Sequence, residues 1–276
     1  MKVRLALVTL SGLILAGAAT AAGPAPDVLR GTPGIAVAGT AHVIARSQQG
    51  GPTTRVSLVR DRDGKVVASH TLPVAVGVPR ITFDGSLVEG TFAGGRRAVL
   101  ASSIYDDAGR ITFVVLDTKT LRPLRTVVLK GSFAYDAVSP DGRRLFLLQY
   151  PGGVQGGVRY VVRSLDLRTG KLEPGAIVDR TEPSERMSGI ALARAWSRDG
   201  AWAYTLYNGG TSHAFVHALN TRTRVARCID LPWAGNAQSM LEGAQVAVSG
   251  TSTLTLTGRS GAVLARIDTR TFSVQA

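Results

Sequence analysis

Apolar and polar residues alternate in short runs along most of the chain. Runs such as RVSLVRD, RITFVVLD and RYVVRSLD have a period of two and are rich in valine, leucine and isoleucine. This pattern is typical of strands that bury one face. Turn dipeptides separate the runs, among them Asp63-Gly64, Asp141-Gly142 and Asp199-Gly200. No amphipathic helix stands out, so the pattern predicts an all-β protein.

Two short motifs recur along the chain at intervals of about 50 residues. The first motif reads LDTKTLRPL from Leu116, LDLRTGKLE from Leu165 and LNTRTRVA from Leu219. The second motif contains Ser-x-Asp-Gly, at 139–142 and 197–200, and it suits a hairpin turn because glycine supplies the positive φ. Each repeat therefore predicts four strands, which is typical of a β-propeller blade.

The sequence SPDGRRLF followed by LDLRTGKL resembles the bacterial propeller repeats of the TolB and YVTN type, distant relatives of WD-repeat blades. The resemblance is best over residues 131–233 and fades towards both ends. It implies a radial array of four-stranded antiparallel blades, a fold that serves many unrelated functions. The Gly-His and Trp-Asp dipeptides of true WD repeats are absent.

The repeats predict that residues 22–276 form a single domain of five blades, with four or six blades left open. The predicted blades span approximately residues 30–75, 76–130, 131–183, 184–233 and 234–276. Two alignments compete in the last blade. On one, IDTRT at 267–271 matches the first motif; on the other, FSVQA at 272–276 is a spare strand that pairs with the first blade and closes the ring.

Residues 1–21 have the three parts of a secretory signal peptide. Lys2 and Arg4 precede an apolar stretch of 14 residues, which is too short to span a bilayer comfortably. Ala-Thr-Ala at 19–21 offers a small-x-small cleavage site. The sequence therefore predicts an extracytoplasmic protein with no transmembrane segment after cleavage, and an uncleaved membrane anchor is the alternative.

The formal charge of +13 over 276 residues becomes +11 once Lys2 and Arg4 are removed. Such a charge favours an anionic partner. However, arginine outnumbers lysine 27 to 5, a skew that a GC-rich genome produces by itself. The arginines are also spread along the chain rather than clustered beside stacking aromatics, which argues against a nucleic-acid partner.

Candidate ligand-binding residues follow from the resemblance, which implies that the strand before the Ser-x-Asp-Gly turn lines the central channel. The positions six residues before Gly95, Gly142 and Gly200, and seven before Gly243 when Glu242-Gly243 is taken as the turn of the last repeat, are all polar. They are Glu89, Asp136, Arg194 and Asn236. We expect these side chains to ring the mouth of the channel; the alternative is that they are hydrated channel residues that satisfy one another.

Catalytic and metal-binding patterns are weak in this sequence. Glycosidases need convergent carboxylates, for which Glu89 and Asp136 are the candidate pair. His213 and His217 would share one strand face about 13 Å apart, too far for one zinc ion, so we expect no metal, no cofactor and two partly buried histidines. Cys228 lies in an apolar strand, where it is expected to pack.

Together these observations predict a secreted, non-catalytic β-propeller that acts as a binding or scaffold module in the cell envelope or extracellular space. Its expected partner is an envelope protein or an anionic cell-wall component. The alternative is a propeller-fold glycan hydrolase or lyase that uses Glu89 and Asp136.

Overall fold

The computed structural model describes residues 27–37, 39–47, 51–82, 84–105, 109–154, 159–183, 187–209, 213–233 and 238–276. The predicted signal peptide lies outside these residues. In the described part of the chain, no helix is long and apolar enough to cross a membrane.

Antiparallel β-sheet makes up nearly all regular structure of the described residues. A small sheet pairs β1 (Val28–Leu29) with β6 (Val78–Pro79). The first four-stranded sheet contains β2 (Ile35–Val37), β3 (Ala41–Arg46), β4 (Thr54–Arg60) and β5 (Val66–Leu72). The second contains β7 (Thr91–Phe92), β8 (Arg97–Ala101), β9 (Arg110–Asp117) and β10 (Pro123–Lys130).

Three further sheets follow in chain order. The third contains β11 (Phe133–Val138), β12 (Arg144–Gln149), β13 (Arg159–Asp166) and β14 (Lys171–Leu172), and β15 (Met187–Ser188) also pairs with β13. The fourth contains β16 (Ile190–Trp196), β17 (Trp202–Asn208), β18 (Phe215–Asn220) and β19 (Val225–Asp230). The short helix α1 (Gln238–Leu241) precedes the fifth sheet, which contains β20 (Gln245–Ser249), β21 (Thr253–Thr257), β22 (Val263–Asp268) and β23 (Val274–Gln275).

Both sequence motifs form turns whose polar side chains bond the turn backbone. In the Ser-x-Asp-Gly turn, the Ser139 hydroxyl donates to Asp141 Oδ1 at 2.6 Å and accepts the Arg144 N–H at 2.9 Å. The other motif places an aspartate or asparagine where its side-chain oxygen accepts two following backbone N–H groups. This capping recurs at Asp117, Asp166, Asn220 and Asp268. The local hydrogen bonds explain why these residue types recur.

One backbone hydrogen bond recurs in all five four-stranded sheets and joins two turns of each sheet. Its N–H lies in the turn after the third strand, and its carbonyl directly precedes the second strand. The donor and acceptor residues, at 2.7 to 3.0 Å, are Asp61 to Thr40, Thr118 to Arg96, Leu167 to Arg143, Thr221 to Ala201 and Thr269 to Ser252. Both turns therefore lie at one end of each sheet, and we call this end, with those residues, the turn face.

The fifth sheet decides between the two alignments of the last repeat. Asp268 caps the turn after the third strand, and β23 pairs with β22 in the same sheet. The alignment that made 272–276 a spare strand for the first blade was therefore wrong. Gly243 precedes the first strand β20, so the alignment of Glu242-Gly243 with the turn between the first two strands was also wrong. That turn comes after Ser249 and lacks the Ser-x-Asp-Gly sequence.

The first strands of the sheets lie at the centre of the molecule. All six residues of β11 are buried, whereas only two of the eight residues of the fourth strand β10 are buried. First strands of neighbouring sheets contact one another, as β2 does with β7 and β16 with β20. The hydrophobic core lies in three clusters, each of which joins neighbouring sheets. This radial packing is a β-propeller. The all-β class and four-stranded antiparallel blades are confirmed, and the total of five blades stays a prediction.

Candidate binding site at the central channel

Three of the four predicted site residues meet at the centre of the propeller. Arg194 on β16 reaches across the channel to two carboxylates. Its guanidinium donates to the side chain and the backbone carbonyl of Asp136 on β11, and Nη1 lies 3.3 Å from Glu89 Oε2. Its Nε donates to Thr205 Oγ1 at 2.8 Å. One arginine on the fourth sheet thus contacts the third sheet and the segment that directly precedes the second sheet.

A β-bulge aims Asp136 into this cluster. The pairing of β11 with β12 shifts register between Tyr135 and Ala137, so Asp136 has no cross-strand partner. An unpaired bulge residue bends its strand and redirects its side chain, which is a common feature near binding sites. Asp136 Oδ2 is buried and has no hydrogen-bond partner among the described residues.

The two carboxylates differ in how deeply they are buried. The side chains of Arg194 and Asp136 are each 2% exposed, whereas that of Glu89 is 16% exposed. Burial raises the pKa of Glu89, and the opposing effects of Arg194 and Trp196 do not fully offset this. Burial alone would lower the pKa of Arg194, but Asp136 and Glu89 more than offset it and raise that pKa. The arginine is therefore held charged between two acids, and Glu89 is the more exposed of the two.

Trp196 also belongs to the site. Its indole N–H donates to Glu89 Oε1 at 2.8 Å. Trp196 ends the same strand that carries Arg194, two residues earlier, so both side chains fall on one face of β16. That spacing is the signal that sequence analysis missed. Trp202, in contrast, packs against Tyr204 and Phe272.

The fourth predicted residue, Asn236, lies outside the described residues. It was selected by counting from Gly243, which precedes the first strand of the fifth sheet instead of following it. The register that gave Glu89, Asp136 and Arg194 therefore does not apply to Asn236. A ligand role for any of these residues stays a prediction.

A cavity of ≈ 450 Å³ opens above Glu89. Residues of the first strands and of the adjoining turns, from the first four sheets, line it. They are Ile35, Ala36, Val88, Glu89, Gly90, Thr91, Phe92, Ala93, Gly94, Tyr135, Val138, Pro140, Trp196 and Gly200. Because Gly94, Pro140 and Gly200 belong to turns between first and second strands, the mouth of the cavity lies on the turn face.

The turn face gathers basic residues that are far apart in the sequence. Each repeat contributes exposed Lys or Arg in or beside its two turns. They are Arg62, Lys65, Arg96, Arg97, Lys119, Arg122, Arg143, Arg168, Lys171, Arg198, Arg222 and Arg270. Many of the turn aspartates are engaged in local capping bonds. These basic residues are scattered along the sequence, but the fold brings their turns to one end of the molecule, where they form a basic surface.

The histidines do not form a pair. His213 precedes β18 and lies 2.8 Å from Asp230 with 49% of its side chain exposed, so the expectation that it is a partly buried strand residue was wrong. His217 is 1% exposed, pairs across strands with the half-buried Cys228, and leaves Nε2 without a partner among the described residues. The described residues contain no cluster of three or more histidine, cysteine or carboxylate side chains suited to a metal.

The neutral His217 makes stability depend on pH. Burial lowers its pKa to about 4 from an ordinary value of 6.5. Between these values the unfolded chain binds a proton that the folded chain does not, so the free energy of unfolding falls as pH drops through this window. The contribution is about 3 kcal/mol over the full range. We expect His217→Gln to flatten the decline of the urea midpoint over this window, and an unchanged decline would contradict the assignment.

Comparison with known proteins supports no family. No family model matches the chain, and no curated protein matches it. Among solved structures, it is similar to a prolyl endopeptidase with 15% identity and a TM-score of 0.49, over 90% of this chain and 35% of that one. TolB from Acinetobacter baumannii is 14% identical with a TM-score of 0.39, over 84% of this chain and 67% of that one. A chain of the mitotic checkpoint complex is 13% identical with a TM-score of 0.47, over 99% of this chain and 74% of that one.

The chain spans about a third of the length of the prolyl endopeptidase chain. At these identities and TM-scores the similarities carry no argument about function. What the protein does has to be inferred from its own site.

Proposed function

We propose that this protein is an extracytoplasmic, non-catalytic binding module whose partner enters the channel mouth on the turn face. The observation that carries the proposal is the ≈ 450 Å³ cavity above Glu89, Arg194 and Trp196. A volume of this size is typical of ligand clefts. Arg194 fixes the first strands around the cavity, so the cavity is largely formed before a partner arrives. The predicted signal peptide supports the extracytoplasmic location.

The geometry favours binding over the alternative of glycan cleavage. A glycosidase needs two carboxyl groups that both face the sugar. Only Glu89 lines the cavity, because Asp136 is 2% exposed and is held by Arg194. Ala36→Trp is a direct test of where the partner binds. Ala36 is exposed and lines the cavity, so an indole there takes up space in the cavity while Glu89 and Arg194 themselves are left unchanged.

We expect the unmodified protein to retain one partner from a cell-envelope extract at about 0.3 M salt, where exposed charges are mostly screened. Ala36→Trp should lose at least about tenfold of that capture. Thr126→Trp is the matched control, because Thr126 is exposed on the outer strand β10, and it should capture as the unmodified protein does. Equal capture by Ala36→Trp and Thr126→Trp would overturn the proposed function.

A further inference from the structure

The walls of the cavity are apolar and aromatic. Phe92, Tyr135 and Trp196 line it together with aliphatic residues such as Ile35 and Val138. An aromatic side chain buries a large apolar surface in such a site. Each contact that it makes with another ring adds about 0.5 to 1.5 kcal/mol of binding free energy beyond that from the buried area. A strongly hydrated group, such as a sugar hydroxyl or a phosphate, gains little there because it loses its water without replacement partners.

The rim of the cavity carries more cationic than anionic side chains, although Asp141 and Asp199 are exposed in two of its turns. Arg96, Arg143 and Arg198 lie in the three turns that border the mouth, and all three are exposed. Arg96 Nε donates to the carbonyl of Ala93, which lines the cavity. Arg143 Nε lies 3.7 Å from Asp141 Oδ2, which is long for an ion pair, and 82% of the Arg143 side chain is exposed. No carboxylate in the described part of the chain forms a salt bridge with Arg96 or Arg198, so both guanidinium groups are available to a partner's carboxylates.

Among the residues that the structure describes, the interior of the cavity offers no free cation to an anionic group. Glu89 is the acidic residue among the lining residues, and Arg194 beside it is already paired with Glu89 and Asp136. A partner's anion at that depth would meet Glu89, whereas the same anion at the rim meets arginine. The site therefore fits a ligand that has an uncharged part, which enters the cavity, and an acidic part, which stays at the rim. A uniformly charged wall polymer does not have this division.

We infer that the partner is an acidic peptide segment whose aromatic side chain fills the cavity while the flanking carboxylates pair with Arg96, Arg143 and Arg198. This inference rests on the proposed function and names the chemistry of its ligand. Arginine pairs well with carboxylates because its planar fork donates two parallel hydrogen bonds to the carboxylate oxygens. The aromatic anchor supplies affinity, and the rim supplies orientation and rate of association.

Fluorescence polarisation with labelled synthetic peptides tests the inference at about 0.15 M salt. One probe has tyrosine between two runs of aspartate, a second has alanine in place of the tyrosine, and a third is polyphosphate. We expect the tyrosine peptide to bind the full chain at least about tenfold more tightly than the alanine peptide. Ala36→Trp should abolish that preference. Arg96→Glu with Arg198→Glu should weaken the tyrosine peptide about tenfold or more.

The matched control reverses two exposed charges at the opposite end of the second sheet, Arg110→Glu with Lys130→Glu, and should leave the affinity within about twofold. Equal binding of the tyrosine and alanine peptides, or tighter binding of polyphosphate, would overturn the inference and favour an anionic polymer. These results are distinguishable from failure of the proposed function, since capture from the envelope extract that depends on Ala36 can persist when no peptide preference is found.

Discussion

Replacement of Arg194 by methionine is expected to lower the free energy of unfolding by about 3 to 5 kcal/mol. The substitution keeps much of the side-chain length but removes the only cation that contacts both Asp136 and Glu89 in the described structure. Asp136 would then be a buried carboxylate without a compensating charge, and one of its oxygens already has no hydrogen-bond partner among the described residues. Urea unfolding at neutral pH measures the change.

Two further variants separate the lost charge from the lost packing. Arg194→Met combined with Asp136→Leu removes both members of the buried pair, so it should be less destabilising than Arg194→Met alone. Arg110→Met removes an exposed arginine from β9 and should change stability by less than about 0.5 kcal/mol. If Arg194→Met costs no more than Arg110→Met, the buried ion pair does not stabilise the centre of the propeller.

Gly189→Ala is expected to destabilise the protein by more than about 3 kcal/mol. Gly189 directly precedes β16 and has a φ of 123°, a conformation that other residues rarely adopt. A Cβ there would also lie closer than 3.0 Å to the backbone carbonyl of Asn208, which cannot move without breaking the sheet. Gly34 and Gly90, which directly precede β2 and β7, make the same close approach to carbonyls of the second strand. Glycine at this position therefore lets the chain pass close to the second strand just before the first strand begins.

Gly152→Ala is the matched control for the glycine prediction. A Cβ added at Gly152 would meet no atom within 4 Å, and the backbone there does not have a positive φ. The substitution should be neutral or slightly stabilising, because alanine restricts the unfolded chain. Thermal unfolding of the two variants under the same conditions makes the comparison. Similar melting temperatures for both would contradict the claim that Gly189 is required at the start of the first strand.

The sequence predicts the strands and turns of the middle sheets well because their signals are local. An aspartate that accepts its own turn's N–H groups, or a Ser-x-Asp-Gly hairpin, specifies a turn wherever it occurs. The fifth sheet was aligned wrongly at Gly243 because its first hairpin lacks that sequence, so only the cap at Asp268 marked the register. A signal that depends on one motif fails where the motif has diverged.

The site was also predicted only in part. Counting along equivalent strands brought Glu89, Asp136 and Arg194 to one place, since repeats convert sequence spacing into radial position. The same count did not show that Arg194 would bury Asp136 and leave Glu89 accessible, because the bulge at Asp136 has no sequence signature. The basic turn face was also hidden, since cations about 50 residues apart look scattered until the propeller places their turns together.

Hydrogen exchange measured by mass spectrometry, with and without the tyrosine-centred acidic peptide, tests most directly whether the partner binds at the channel mouth on the turn face. We expect slower exchange at 88–94 and 196–200, which border the cavity, and unchanged exchange at 124–130 on the outer strand β10. Slowed exchange confined to the outer strands, with none at the channel mouth under saturating peptide, would contradict this expectation.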